Sequence, residues 1–169
     1  MKKLILCAAY MLMLPIACLF FGSCQKEVKE ENQRKELESY ITNTLKAPID
    51  EQNGVYFVLL DTSPTQTIRV RSGDMVEFIY LAWAFRGSEF ATNDDSMAVR
   101  YGLTPTLKGA VQVGVGALIA GLDRGLQRMA LGDEGLILFP FTLGYGEEYM
   151  GLVKPESALI FEVWITKVN

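Results

Sequence analysis

A chain of 169 residues, half of them hydrophobic and 21% charged, can bury one ordinary core and has little left for a second domain. Histidine is absent, which removes Ser-His-Asp and Cys-His nucleophilic machinery and the usual zinc sites together; a formal net charge of −4 disfavours a nucleic-acid partner. Any chemistry here must work without imidazole, and no metal or organic cofactor is implied.

The chain opens with two charges, Lys2 and Lys3, followed by an apolar run from Leu4 to Phe21 and the small residues Gly22 and Ser23. This is the grammar of an export signal over residues 1–23. Its removal takes both lysines with it and shifts the formal charge from −4 to −6. Cys7 and Cys18 fall inside the signal, so the mature chain keeps Cys24 alone and has no disulfide. Phe21-Gly22-Ser23-Cys24 resembles the bacterial lipobox. The resemblance implies that Cys24 is lipidated, that a membrane is one partner, and that the protein sits in the bacterial cell envelope on the outer membrane. Several acyl chains on one cysteine hold far better than the single chain that binds reversibly. The alternative is an ordinary cysteine behind a plain signal or an uncleaved anchor.

Residues 24–52 read as a tether. From Gln25 to Glu38 the charges are mixed, with Glu30/Arg34 and Glu31/Lys35 one helical turn apart, which predicts a solvated helical spacer. Leu37, Tyr40, Ile41, Thr44 and Leu45 then share one helical face, so this end must lie against something; Pro48 ends it. The domain proper spans residues 53–169. Asn53-Gly54 is a turn that launches a first strand, Val55 to Leu60. After Ser72-Gly73-Asp74, Met75 to Phe85 reads as a central strand with Val76, Phe78 and Tyr80 on one face. Arg86-Gly87 turns the chain into Ser88 to Ala91. Thr92 to Ala110 loses periodicity and predicts a long surface loop.

Leu118 to Met129 changes period, placing Leu118, Leu122, Leu126 and Met129 on one side of a short amphipathic helix. Gly132 and Asp133 end it, Gly135 to Phe139 reads as a strand, and Thr142 to Pro155 is a loop rich in Gly and Tyr. Ala158 to Val168 alternates, with Leu159, Phe161, Val163 and Ile165 inward. The fold class is α+β, an antiparallel sheet wrapped around one short helix. Gly114-Val115-Gly116 is not a nucleotide loop, because Ile119 stands where the third glycine belongs and no parallel strand-helix-strand unit surrounds it. Asp94-Asp95 and Glu147-Glu148 read as solvated loop charges rather than a calcium site.

Three segments in this order, Leu118-Ile119-Ala120-Gly121-Leu122-Asp123-Arg124-Gly125-Leu126, Leu143-Gly144-Tyr145-Gly146 and Leu159-Ile160-Phe161-Glu162-Val163, closely resemble the FKBP-type peptidyl-prolyl isomerases. The resemblance covers about residues 54–168. It implies an apolar cup between helix and sheet that receives a proline side chain, with proline-containing polypeptide segments as partners. It assigns the catalytic wall to Tyr80, Phe90, Leu118, Ile119, Leu122, Tyr145 and Phe161, and a substrate-binding rim to Leu152 and Val153. On periodicity alone Tyr80, Leu122 and Phe161 read as core. Tyr145, set between two glycines in a polar loop, reads as a donor to a substrate carbonyl.

Such a site needs neither acid nor base, since turning a peptide bond requires loss of C–N resonance across a barrier of about 18–20 kcal/mol. Only X-Pro bonds have cis and trans forms close in energy. Four features depart from the family pattern. Ala91 stands where an Asp commonly follows the Phe, Leu122 replaces a frequent Trp, Leu81-Ala82 stands for Thr-Gly, and the 92–110 segment is longer. The missing carboxylate motivates an alternative, a non-catalytic chaperone or adaptor that holds proline segments in a degenerate site.

Overall fold

The computed structural model describes residues 25–62 and 68–169, so the export signal and Cys24 lie outside the described residues. Strands β1 (Glu51–Gln52) and β2 (Val55–Asp61) form a hairpin across Asn53 and Gly54. Both residues have positive φ, 53° and 82°, as a two-residue turn matched to strand twist requires. With β3 (Met75–Ala84), β4 (Glu89–Thr92), β5 (Val111–Gln112), β6 (Glu134–Phe139) and β7 (Leu159–Val168) they make one antiparallel sheet. Its order is β1-β2-β6-β7-β3-β4, with β5 on β3.

Register decides what can meet on the concave face. Tyr80 pairs with Val163, Ala82 with Phe161, and Ile137 with Phe161. Because side chains alternate across a strand, Tyr80, Phe161 and Phe139 fall on one face as diagonal neighbours. Helix α3 (Ala120–Leu126) lies across that face and buries Leu122 and Leu126. It starts later than the periodicity predicts. Ile119 is extended (φ −60°, ψ 143°), so Leu118 and Ile119 form the run into the helix rather than its first turn.

The segment predicted as a loop over 92–110 contains a helix, α2 (Asp95–Tyr101). Its ends were written in the sequence: Asp94 accepts from the Met97 N–H as N-cap, and Gly102 closes it in the left-handed conformation at φ 66°. Only Ala98 is buried, so the hydrophobic pattern that usually announces a helix is missing.

The mixed-charge run is helical, as predicted, over residues 25–40 and continues as a π-turn at Ile41–Leu45. It is no free spacer. This helix, α1, packs on the outer face of the sheet, where Leu37 and Ile41 are 0% exposed and form a second core with Tyr56, Val58, Leu136, Leu138 and Ile160. The Tyr56 hydroxyl donates to Glu38 at 2.9 Å, and the rings of Tyr40 and Phe85 meet edge to face at 5.5 Å. Three strands are thereby covered on both faces. Among the described residues, no helix is long and apolar enough to cross a membrane.

Candidate active site

The concave face is closed by side chains from five places, and they leave a cavity of about 320 Å³. Tyr80 comes from β3, Phe161 from β7, Leu122 from α3, Leu118 and Ile119 from the run into α3, and Tyr145 from the loop after β6. The expected wall residues thus meet at one hollow, with Phe90 packed behind it. The Phe90 ring meets those of Tyr145 and Phe161 edge to face, each at 6.0 Å. Phe161 is the hub of this cluster, with Tyr80 at 5.9 Å and Phe139 stacked at 5.8 Å.

The two rim residues are placed elsewhere. Met150 and Val153 exchange backbone hydrogen bonds at 3.1 and 2.9 Å, so Gly151-Leu152 forms the tip of a tight reversal and its neighbours cannot face the same way. Val153 is 1% exposed and belongs to the core. Leu152, 68% exposed, borders a separate groove with Tyr101 and Lys154.

Three lining residues escaped the sequence reading: Thr106, Leu107 and Ala117. The first two arrive through the α2 segment, whose attachment explains their position. Where β4 ends, Asn93 takes over as partner of β3, accepting from the Tyr80 N–H at 3.0 Å and donating to the Phe78 carbonyl at 2.6 Å. The Thr92 hydroxyl donates to the Tyr80 carbonyl at 2.6 Å. After α2 the Thr106 N–H donates to the Thr92 carbonyl at 2.8 Å, bringing the Thr106 and Tyr80 hydroxyls to 2.8 Å from each other. The signal for this lay in Thr92 and Asn93, short polar residues that can bond to strand backbone, but not in any periodicity.

The hollow is therefore apolar, with three hydroxyls at its wall, those of Tyr80, Thr106 and Tyr145. Two hydroxyls sharing one bond leave one O–H free to donate. Burial pushes the Tyr80 phenol above its ordinary pKa against the opposing pull of the Thr106 hydrogen bond. Tyr145 is raised by burial and then by the nearby Tyr80. Both phenols stay protonated at physiological pH and remain donors. Ala91 also lines the hollow, and no carboxylate stands among the described residues around it. Asp123 of the α3 motif has a different duty, accepting from the Gly114 N–H at 2.7 Å and pinning the loop that leads to Leu118. Gly114, at φ 79°, has no room for a side chain, since a Cβ would come within 2.4 Å of the Ser72 hydroxyl oxygen.

A family profile described as FKBP-type peptidyl-prolyl cis-trans isomerase matches residues 66–166. FK506-binding protein 1 of Aspergillus oryzae is 33% identical over 107 residues, covering 58% of this chain and 85% of the fungal protein. Peptidyl-prolyl cis-trans isomerase FKBP10 of Bos taurus is 36% identical over 100 residues, covering 59% of this chain but 16% of the bovine one. A crystal structure of the three FKBP domains of wheat FKBP73 superposes with a TM-score of 0.58 at 20% identity, covering 73% of this chain and 49% of that one; it shows the shared fold. The matched span holds the three motifs, strands β3 to β7 almost entirely and the residues that line the hollow, and with them the chain belongs to the FKBP-type peptidyl-prolyl cis-trans isomerase family.

Proposed function

We propose that this chain accelerates cis–trans isomerisation of X-Pro bonds in exported polypeptides, at a membrane to which a lipidated Cys24 ties it. The observation that carries the catalytic part is the apolar hollow with protonated hydroxyls at its wall. At about 320 Å³ the hollow is at the lower end of ligand pockets, roughly 300–1,000 Å³, with room for a proline ring and part of the residues beside it. In the planar amide the carbonyl is strongly dipolar and well hydrated. As the C–N bond twists, resonance is lost and that dipole shrinks, so an apolar wall disfavours the ground state more than the transition state. Leu122, Ile119 and Phe161 supply the wall, and the Tyr145 hydroxyl orients the substrate by donating to a flanking carbonyl. No proton changes hands.

A protease-free assay on short X-Pro peptides tests this. The expected result is acceleration over buffer, with Tyr145→Phe lowering kcat/KM about five- to tenfold, the worth of one hydrogen bond of about 1–1.5 kcal/mol. The rate should be flat from about pH 6 to 9, below the ordinary tyrosine pKa of about 10. Burial raises both pocket phenols, so their protonated state is present throughout this window and is lost only as pH rises through the raised values. A folded protein without acceleration removes the enzyme reading. Ala91, which puts a methyl group in the hollow wall, favours the second reading, a module that holds proline segments without turning them. Peptide binding without acceleration selects it, and a gain of turnover in Ala91→Asp returns the scaffold to the enzyme class.

The membrane part rests on the lipobox resemblance at Phe21-Gly22-Ser23-Cys24. Cells fed a radiolabelled fatty acid should incorporate it into the protein and lose the label in Cys24→Ser. Labelling that survives the substitution removes the anchor from Cys24.

A further inference from the structure

Helix α1 lies outside the family-matched span of residues 66–166, yet one of its side chains reaches the loop that carries Tyr145. The Gln33 amide accepts from the Phe141 N–H at 3.0 Å and donates to the Glu156 carbonyl at 2.7 Å. Within the loop, Gly146 N–H donates to the Phe141 carbonyl at 3.0 Å, and Glu156 N–H donates to the Gly146 carbonyl at 2.7 Å. The four bonds form a closed circuit, Gln33 to Glu156 to Gly146 to Phe141 and back. Phe141, Gly146 and Glu156 each use both backbone groups, and the glutamine uses its donor and its acceptor. Tyr145 is the residue directly before Gly146. Two ion pairs reinforce the attachment, Lys29 with Glu156 and Lys26 with Glu147 at 3.5 Å.

We propose that α1 is a bracket for the catalytic loop and that Gln33 is its positioning residue, setting where the Tyr145 hydroxyl stands over the hollow. The physical reason is that a loop with Gly144 and Gly146 on either side of the tyrosine has little stiffness of its own, glycine being free of the constraints a Cβ imposes. A primary amide offers an acceptor and a donor side by side in one plane, the arrangement needed to tie a backbone N–H and a backbone C=O at once. The helix itself cannot drift, because Leu37 and Ile41 hold it one and two turns further along. The proposal rests on Tyr145 acting at the site, as in the function proposed above.

Gln33→Met keeps the length and removes both bonds. In full-length protein, amide hydrogen exchange at Phe141, Gly146 and Glu156 should rise at least tenfold, with exchange in β3 and β7 unchanged. kcat/KM on X-Pro peptides should fall several-fold, mainly through KM. Adding Tyr145→Phe to Gln33→Met should cost less than it does in the parent, since the hydroxyl is already misplaced. Unchanged exchange at the three amides overturns the bracket, and so does exchange that rises uniformly through the sheet. Raised local exchange with unchanged kcat/KM overturns the positioning role. If the parent protein shows no turnover, the isomerase reading fails by itself, and affinity for a proline peptide takes the place of kcat/KM: weaker binding by Gln33→Met sustains the positioning role, and equal binding overturns it.

Discussion

Phe161→Ala is expected to lose about 3–5 kcal/mol of stability, in the range for aromatic truncation in a core, and to bring peptide turnover to background. Phe161 is 3% exposed, and its ring is met by Tyr80, Phe90 and Phe139, at 5.8–6.0 Å. Truncation removes the apolar area, the edge and stacking terms worth about 0.5–1.5 kcal/mol per pair, and the surface against which Tyr80 and Phe90 are held. A domain with about 5–15 kcal/mol to spare can remain folded, so turnover is measured at low temperature on protein shown folded by near-ultraviolet circular dichroism. Stability comes from urea unfolding, and Phe161→Leu should fall between parent and alanine. A cost below about 1 kcal/mol would mean that the cluster is looser than its ring distances imply. Full turnover in a folded Phe161→Ala would take the hollow out of the mechanism.

Much of the architecture could be read before any coordinates, and particular residues show why. Alternation in Leu159, Phe161, Val163 and Ile165 reported the inward face of β7 because that pattern is a direct consequence of the pleat. Asn53-Gly54 reported a hairpin because few pairs tolerate two positive φ values. The other face of the sheet shows in a different pattern. Val55 to Val58 and Leu136 to Phe139 are unbroken buried runs, the signature of strands covered on both sides. Read that way, they call for a second layer, and the Leu37/Ile41 face of α1 is what supplies it.

The site was legible through motifs more than through physics. Tyr80, Leu122 and Phe161 have the periodicity of plain core, and only their order along the chain suggested a pocket. Thr106 carried no signal, because its place depends on Asn93 and Thr92 redirecting the chain after β4. The rim residues failed for a related reason: neighbours at the tip of a two-residue reversal diverge, so Leu152 and Val153 could not share one role. Neither hydrophobicity nor spacing records which way a reversal points.

Gly125→Ala carries the other large expected effect, and its sign opposes the local rule. In a helix interior alanine is favoured over glycine by about 1 kcal/mol, so on propensity the substitution should stabilise α3. A Cβ at Gly125, however, would sit 2.2 Å from Ile137 Cγ2 and 2.8 Å from its Cδ1, and at Gly121 the same atom would meet the Phe139 ring at 2.3 Å. The two glycines, one turn apart, are what lets α3 lie almost directly on β6. Any side chain there lifts the helix, and Leu122 with it, away from the floor of the hollow. Overpacking of this kind costs about 1–3 kcal/mol beyond any propensity gain. Urea unfolding of Gly125→Ala should therefore show a net loss, with peptide turnover falling as Leu122 moves. The paired test is Ile137→Ala, which removes the atoms in the way: in that background Gly125→Ala should become neutral or stabilising, giving a coupling of about 0.5–3 kcal/mol between residues in contact. An alanine that stabilises the parent protein would show that backbone propensity, and not the close approach of helix to strand, governs this position.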